Sequence, residues 1–245
     1  MSAVPWHLGM MCAFDLETSG TDTESDRIVT ACLAWVDGSG QQPPEVREWL
    51  AWPEVDIPQA ATDIHGITTA HAREHGLPSA RVAGEVADSL VESAACGVAV
   101  VAFNASFDLT LLDRETRRHG LDPLGPGLEA AKALVVDPYV LDKALDPYRK
   151  GKRTLADVAA HYRVRQEDAH NATGDAIAAA RIAWKIAVVY PHVARMTATE
   201  LHAYQARAKR EQAASFRDYL RKQGRDEPVD GSWPLRPWDL EAAAR

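Results

Sequence analysis

Apolar and polar positions along the chain separate into a strand-rich first quarter and a helix-rich remainder. Residues 10–17 (MMCAFDLE) form a short apolar run that ends in acids. This predicts a buried strand with polar groups at its C-terminal end. Residues 27–36 (RIVTACLAWV) are rich in β-branched side chains and break at Asp37-Gly38, a turn signal. Residues 46–52 (VREWLAW), bounded by Pro43-Pro44 and Pro53, predict a third strand. Short connections between the three imply an antiparallel meander. Residues 58–70 (PQAATDIHGITTA) read as a structured loop. Residues 79–95 are helical, with Val82, Val86 and Leu90 at helical spacing. Residues 98–103 are continuously apolar, as in a central buried strand. Residues 104–119 follow as a helix, 134–137 as a short strand, and 154–162 and 172–189 as helices. Strands first, then helix alternating with strand, predicts an α/β fold: a mixed sheet with helices on its faces.

The last roughly 50 residues differ in character. Residues 199–225 are polar and helix-favouring. Between 200 and 225 there are seven basic and three acidic residues, a balance of +4. The segment DEPVDGSWPLRPW then rules out regular helix. The division expected is a core of residues 8–192 and an extension of residues 193–245, made of a helix and an extended arm. Two readings of the extension stand. Leu201, Tyr204 and Ala208 form a stripe that packs on the core or on a second subunit, giving a homodimer. Alternatively, the Arg-rich face meets nucleic acid or a partner. Packing is the favoured reading. Trp233 and Trp238 are costly to leave in water, so both should dock.

Composition narrows the class. With 245 residues, 46% hydrophobic and 25% charged, the chain is neither disordered nor a disulfide miniprotein. The three cysteines, Cys12, Cys32 and Cys96, are scattered without a CxxC, which fits a reducing cytoplasm. No apolar run approaches the roughly 20 residues that span a bilayer, and residues 1–11 do not read as a signal peptide. The net charge of −8 speaks against a protein that coats nucleic acid. No GxxxxGK[ST] motif is present.

The candidate chemistry is acidic. Asp15 and Glu17 sit at i and i+2 of the first strand, so both carboxylates share one face. Asp108 follows the central apolar strand, and His170 and Asp175 precede and open the Ala-rich helix. Taken singly, each is an ordinary strand-end or first-turn acid, or a surface histidine. Taken together, carboxylates at the ends of apolar elements are what hard divalent cations require. Packed without a cation they repel, at about 4 kcal/mol for a pair about 4 Å apart. His170 and Asp175 lie about 500° apart on a helix, so they do not share a face. Asp175 then sits inside the helix and His170 on the segment before it.

At these residues the chain resembles the DEDDh branch of 3′–5′ exonucleases, whose fold is ribonuclease-H-like and whose best-known type is the proofreading epsilon subunit of bacterial DNA polymerase III. The first motif is FDLETSG, residues 14–20; the second is VAFNASFDLTLL, residues 101–112; the third is HNATGDA, residues 170–176. The loop IHGIT, residues 64–68, is a fourth similarity, and the resemblance covers residues 10–191. It implies a five-stranded mixed sheet flanked by helices and two divalent cations, Mg²⁺ or Mn²⁺. Asp15 would bridge both cations. Glu17 and Asp175 would help bind the one that activates water, and Asp108 would hold the other. His170 would be the general base. Thr18 would lie near the terminal sugar, and His65, Gly66 and Ile67 would flank the terminal base. Asn104 and Phe107 are candidates for the nucleotide pocket, although strand-end packing and helix capping account for them equally well.

The implied activity is release of nucleoside 5′-monophosphates from 3′ ends of single-stranded DNA. RNA trimming, or an accessory role docked to a DNA polymerase or another replication or repair protein, are the alternatives. An enzyme that grips a strand end through metal ions is compatible with a net charge of −8. Two weaker signals remain. Lys150, Lys152 and Arg153 could meet phosphates or simply be solvated. Thr154 with Asp157 resembles a capping box.

Overall fold

The computed structural model describes residues 4–166 and 171–238. Strands β1 (Met10–Thr18), β2 (Ile28–Asp37) and β3 (Glu45–Trp52) form the expected antiparallel meander. Helices α1 (Gln59–His65) and α2 (Thr69–His75) follow, then β4 (Leu77–Pro78), α3 (Ser79–Ala95), β5 (Ala99–Val101) and α4 (Ala105–Arg118). Next come α5 (Leu124–Ala130), β6 (Val135–Val136), α6 (Pro138–Leu145), α7 (Leu155–Tyr162), α8 (Ala172–Val189), α9 (Pro191–Ala194) and α10 (Ala198–Lys222). The sheet order is β4-β3-β2-β1-β5-β6, with β5 and β6 parallel to β1.

Two expectations are corrected. The sheet has six strands among the described residues, not five, because Leu77–Pro78 pairs in parallel with Ala51 and Trp52 at the far edge. Two residues carry no period, so no sequence pattern marks them. The loop expected at 58–70 is instead a helix followed by the start of another. Gly66 (φ 80°) ends α1, and the Thr68 hydroxyl, accepting from the His71 N–H at 3.1 Å, starts α2. Both helices are one to two turns long and bury only Ala61 and Ala72, so their apolar stripe is too thin to register.

The sheet is buried on both faces. Cys12, Phe14 and Leu16 of β1 pack with Val86 and Leu90 of α3 and Leu109 and Leu112 of α4. Met11 and Ala13, on the opposite face, pack with Ala176, Ala179 and Ala183 of α8. The alanines let α8 lie close to the sheet. Arg163 and Asn104 both adopt left-handed conformations, at φ 56° and φ 63°, where α7 ends and α4 begins. The capping box at Thr154 forms: its hydroxyl accepts from the Asp157 N–H at 3.2 Å, and the Asp157 carboxylate accepts from the Thr154 N–H at 3.1 Å.

The stripe on α10 packs on this same chain. Leu201 and Ala208 are buried, with Tyr204 partly covered. The arm docks as well. Trp233 is buried, and the Arg114 and Arg117 guanidinium groups lie 5.0 and 4.9 Å from the Trp238 ring centre. The Arg114 side chain also donates to the Pro237 carbonyl at 2.8 Å. No helix among the described residues is long and apolar enough to cross a membrane.

Candidate active site

The alternation of β1 builds the acidic centre. Met11 and Ala13 point into the core beneath α8, so the next residues on that face are Asp15 and Glu17. They emerge at the C-terminal end of the strand, where the pairing with β2 shifts register between Glu17 and Thr18. Helix α8 crosses this face and presents Asp175 in its first turn, where the helix dipole favours an anion. The Asn171 side chain caps the helix by accepting from the Thr173 N–H at 2.9 Å. One carboxylate oxygen each from Asp15, Glu17 and Asp175 lie within 4.8 Å of one another. Three hard oxygen donors at that separation fit a divalent cation. The Gln166 amide donates to Asp175 Oδ1 at 2.6 Å.

Asp108 enters from the other side. It lies in the first turn of α4, and its Oδ1 accepts from the Leu16 N–H at 3.2 Å. It shares with Asp15, Glu17 and Asp175 a cleft of about 370 Å³, walled by Phe103, Asn104, Phe107 and Tyr139. The structure thus gathers all four acids expected from the sequence, together with Asn104 and Phe107. Asn104 makes no side-chain cap to α4, which corrects the capping alternative. His170 lies outside the described residues.

A second cleft of about 420 Å³ adjoins the first through Glu17, and His65 and Ile67 line it beside Trp49 and His71. Gly66, between them, turns the chain in the left-handed region, which glycine adopts without strain, so both neighbours reach the cleft. The Ile67 N–H donates to His65 Nδ1 at 3.1 Å. Burial lowers the His65 pKa, against a smaller opposing effect of the Thr18 backbone. Burial and the hydrogen bond that Nδ1 accepts both favour the uncharged ring. The Thr18 hydroxyl donates to the Gly20 carbonyl at 2.6 Å, leaving its backbone beside His65.

Behind the acids lies a support that sequence reading missed. Asp137, fully buried, accepts from the N–H groups of Asn104 and Ala105 at 3.0 Å each, and of Tyr139 and Val140 at 3.0 and 3.3 Å. One carboxylate therefore fixes the starts of both α4, which carries Asp108, and α6, which carries Tyr139. The C-terminal extension closes over it. Trp233 Nε1 donates to Asp137 at 3.3 Å, the Gln205 amide accepts from the Asp137 N–H at 2.7 Å, and Lys209 donates to Ser106 at 3.1 Å. Asp137 follows a two-residue strand, and nothing local in the sequence marks its partners about 30, 70 and 100 positions away. Tyr139, Trp49 and His71 were likewise missed, since lone aromatics and histidines carry no spacing signal.

The acids repel as the sequence implies. Burial and then the Asp108, Asp175 and Glu17 charges push the Asp15 pKa well up. Burial raises Asp108 too, against opposing hydrogen bonds that include the one from Leu16. Glu17 moves from 4.5 to about 7, through burial and then Asp175. Carboxyl groups raised in the fold contribute stability at low pH that is lost as pH climbs through their folded values. The metal-free chain should therefore lose thermal stability between about pH 5 and about pH 8. A divalent cation, which displaces those protons, should raise the unfolding temperature far more at the upper pH. Thermal melts in EDTA and in Mg²⁺ at both values check this, and an equal cation effect at the two would contradict it.

At the C-terminal end of β1, Asp15 and Glu17 thus meet Asp108 from the first turn of α4 and Asp175 from the first turn of α8, a set of carboxylates suited to divalent cations. The family model described as an exonuclease, RNase T, matches residues 12–183, and the chain belongs to this family of DnaQ-like DEDD exonucleases. Among solved structures, exonuclease I of E. coli in complex with a dT13 oligonucleotide is similar, with a TM-score of 0.64 and 18% identity over 76% of this chain and 42% of that one. The zinc-bound form of the E. coli exonuclease I–single-stranded DNA complex has a TM-score of 0.62 and 19% identity, covering 75% and 41%. Exonuclease I from Methylocaldum szegediense has 0.64 and 21%, covering 87% and 45%. The chain thus spans less than half the length of these structures. No curated protein matches it significantly.

Proposed function

We propose that the chain is a 3′–5′ exonuclease of the DEDDh type that removes nucleoside 5′-monophosphates from single-stranded DNA. The observation that carries this reading is the meeting of Asp15, Glu17, Asp108 and Asp175 in one cleft that opens through Glu17 to a second, partly aromatic cleft. The similar E. coli enzyme binds a single-stranded oligonucleotide, and another form of it holds zinc. Two divalent cations, Mg²⁺ or Mn²⁺, held by the four acids would lower the pKa of the attacking water and offset charge on the departing oxygen. The terminal base would sit between Ile67 and Trp49 in the second cleft. His65 would flank that base with Ile67, and the Thr18 backbone would face its sugar. Phe103, Phe107 and Tyr139 would hold the penultimate nucleotide by stacking.

His170, five positions before Asp175, would accept the proton of the attacking water, since its unperturbed pKa is near neutral. His170→Ala should lose about 100-fold or more in turnover while the cation still raises the unfolding temperature. Wild-type turnover in that variant would remove His170 from the mechanism. Residues 8–192 would form the catalytic unit and residues 193–245 its extension. The free thiols Cys12, Cys32 and Cys96 suit the cytoplasm. Product analysis tests the reaction itself. Single-stranded DNA and RNA are each incubated with Mg²⁺ and the products separated by chromatography. Nucleoside 5′-monophosphates, formed faster from DNA, are expected. Nucleoside 3′-monophosphates would contradict the proposed attack, and faster release from RNA would transfer the activity to RNA.

A further inference from the structure

Beyond the acidic cleft, a groove of about 610 Å³ runs between α6 and α10. Lys143, Arg153, Tyr204, Arg207, Phe216 and Tyr219 give it a basic and aromatic wall. Phe216 and Tyr219 are 51% and 57% exposed, an unusual state for two large rings on neighbouring turns. They lie nearly parallel, at 15°, with ring centres 6.3 Å apart. The Arg207 guanidinium lies 5.7 Å from the Tyr204 ring centre. Arg153 is held in place by buried Asp142 at 2.6 Å, so it forms fixed wall rather than a mobile cation. Glu211 is the acid in the groove, and Arg207 stands 3.9 Å from it. Lys143 and Arg207 leave the lining with a cationic excess.

The groove and the acidic cleft meet where Lys143, which lines the one, touches Tyr139, which walls the other. Tyr139 walls that cleft, in edge contact with Phe103 at 5.6 Å. One turn further along α6, Lys143 lines the groove and lies 3.4 Å from the Tyr139 hydroxyl. An elongated anion leaving the acids past Tyr139 meets Lys143 next and then the exposed rings. From Tyr204 to Tyr219 the wall extends about 22 Å along α10, room for several nucleotides.

We propose that this groove binds the single-stranded DNA upstream of the cut, with phosphates on Lys143 and Arg207 and bases on Tyr204, Phe216 and Tyr219. Cations that track a backbone beside exposed rings are what sequence-tolerant binding of single strands requires. A protein partner seated on the rings would leave the cations, and the contact of Lys143 with a wall of the acidic cleft, unexplained. The site rests on the exonuclease reading above and deepens it.

The test is the length dependence of KM. Oligothymidylates of 2 to 14 nucleotides are digested by the full chain and by the variant Arg207→Glu, Phe216→Ala, Tyr219→Ala, all three surface positions outside the acidic centre. In the wild type KM should fall as length increases and then level off. In the variant, KM for the longest substrate should rise about tenfold or more, while kcat and the dinucleotide rate stay unchanged. The salt dependence of binding should also become shallower. Equal KM at every length in the two proteins would overturn the groove. So would a wild-type dimer that the variant converts to monomer with KM unchanged. Absence of hydrolysis by the wild type at any length would instead remove the exonuclease reading, a separate outcome.

Discussion

Asp15→Asn is expected to reduce turnover by about three orders of magnitude and to raise the unfolding temperature of the metal-free chain above pH 7. Both effects come from one position. Asp15 has a carboxylate oxygen within 4.8 Å of those of Glu17 and Asp175, shares a cleft with Asp108, and feels the charge of all three. Loss of its carboxylate removes one of the donors that would hold the cations, worth about 4 kcal/mol of transition-state stabilisation. The same loss relieves the burial and repulsion that push its pKa well up, so the folded state no longer carries that cost at high pH. Asparagine keeps the shape and the hydrogen-bonding oxygen. Calorimetry or circular dichroism in EDTA measures the stability, and release of acid-soluble nucleotides measures the rate. A variant that loses both activity and metal-free stability would show that Asp15 is a folding residue rather than a ligand.

Asp137→Ala is expected to cost about 4 kcal/mol of stability, lowering the unfolding temperature by about 10 °C. Five donors, four of them backbone N–H groups, converge on this carboxylate, and alanine leaves them unsatisfied within the core. Lys209 would also lose its compensating charge. Burial lowers Lys209 and raises Asp137 despite their attraction, so the hydrogen bonds rather than the ion pair hold the junction. Activity, measured well below the melting range, should fall as well, because the starts of α4 and α6 set Asp108 and Tyr139. Chemical denaturation of wild type and variant gives the free energy. A loss below about 1 kcal/mol would mean that other groups secure those helix starts.

The parts of the fold visible in sequence are those with a strong local period. Strand β1 reads from its apolar alternation, and Asp15 and Glu17 fall on one face because the same alternation continues. Helix α3 reads to the residue from Val82, Val86 and Leu90. The Ala-rich run marks α8, and Asp175 falls in its first turn as expected. The stripe at Leu201 and Ala208 marks the packed face of α10. Features built by distant partners remain hidden. The capping of α4 by Asp137 joins residues 32 and 33 positions apart, and Gln205 and Trp233 reach it from 68 and 96. Arg153, read as a phosphate contact or a solvated charge, turns inward to Asp142 because a buried carboxylate needs a partner. Strand β4 and helices α1 and α2 are too short to show a period at all.

We propose that Asp15, Glu17, Asp108 and Asp175 form a metal-dependent centre that shortens DNA from its 3′ end. A single-stranded oligonucleotide labelled at its 5′ end, resolved on a denaturing gel after incubation with Mg²⁺ or Mn²⁺, tests it most directly. A ladder shortening one nucleotide at a time is expected, absent in EDTA and absent with Asp15→Asn. Internal fragments, immediate release of the labelled nucleotide from the 5′ end, or an unchanged ladder in EDTA would contradict it.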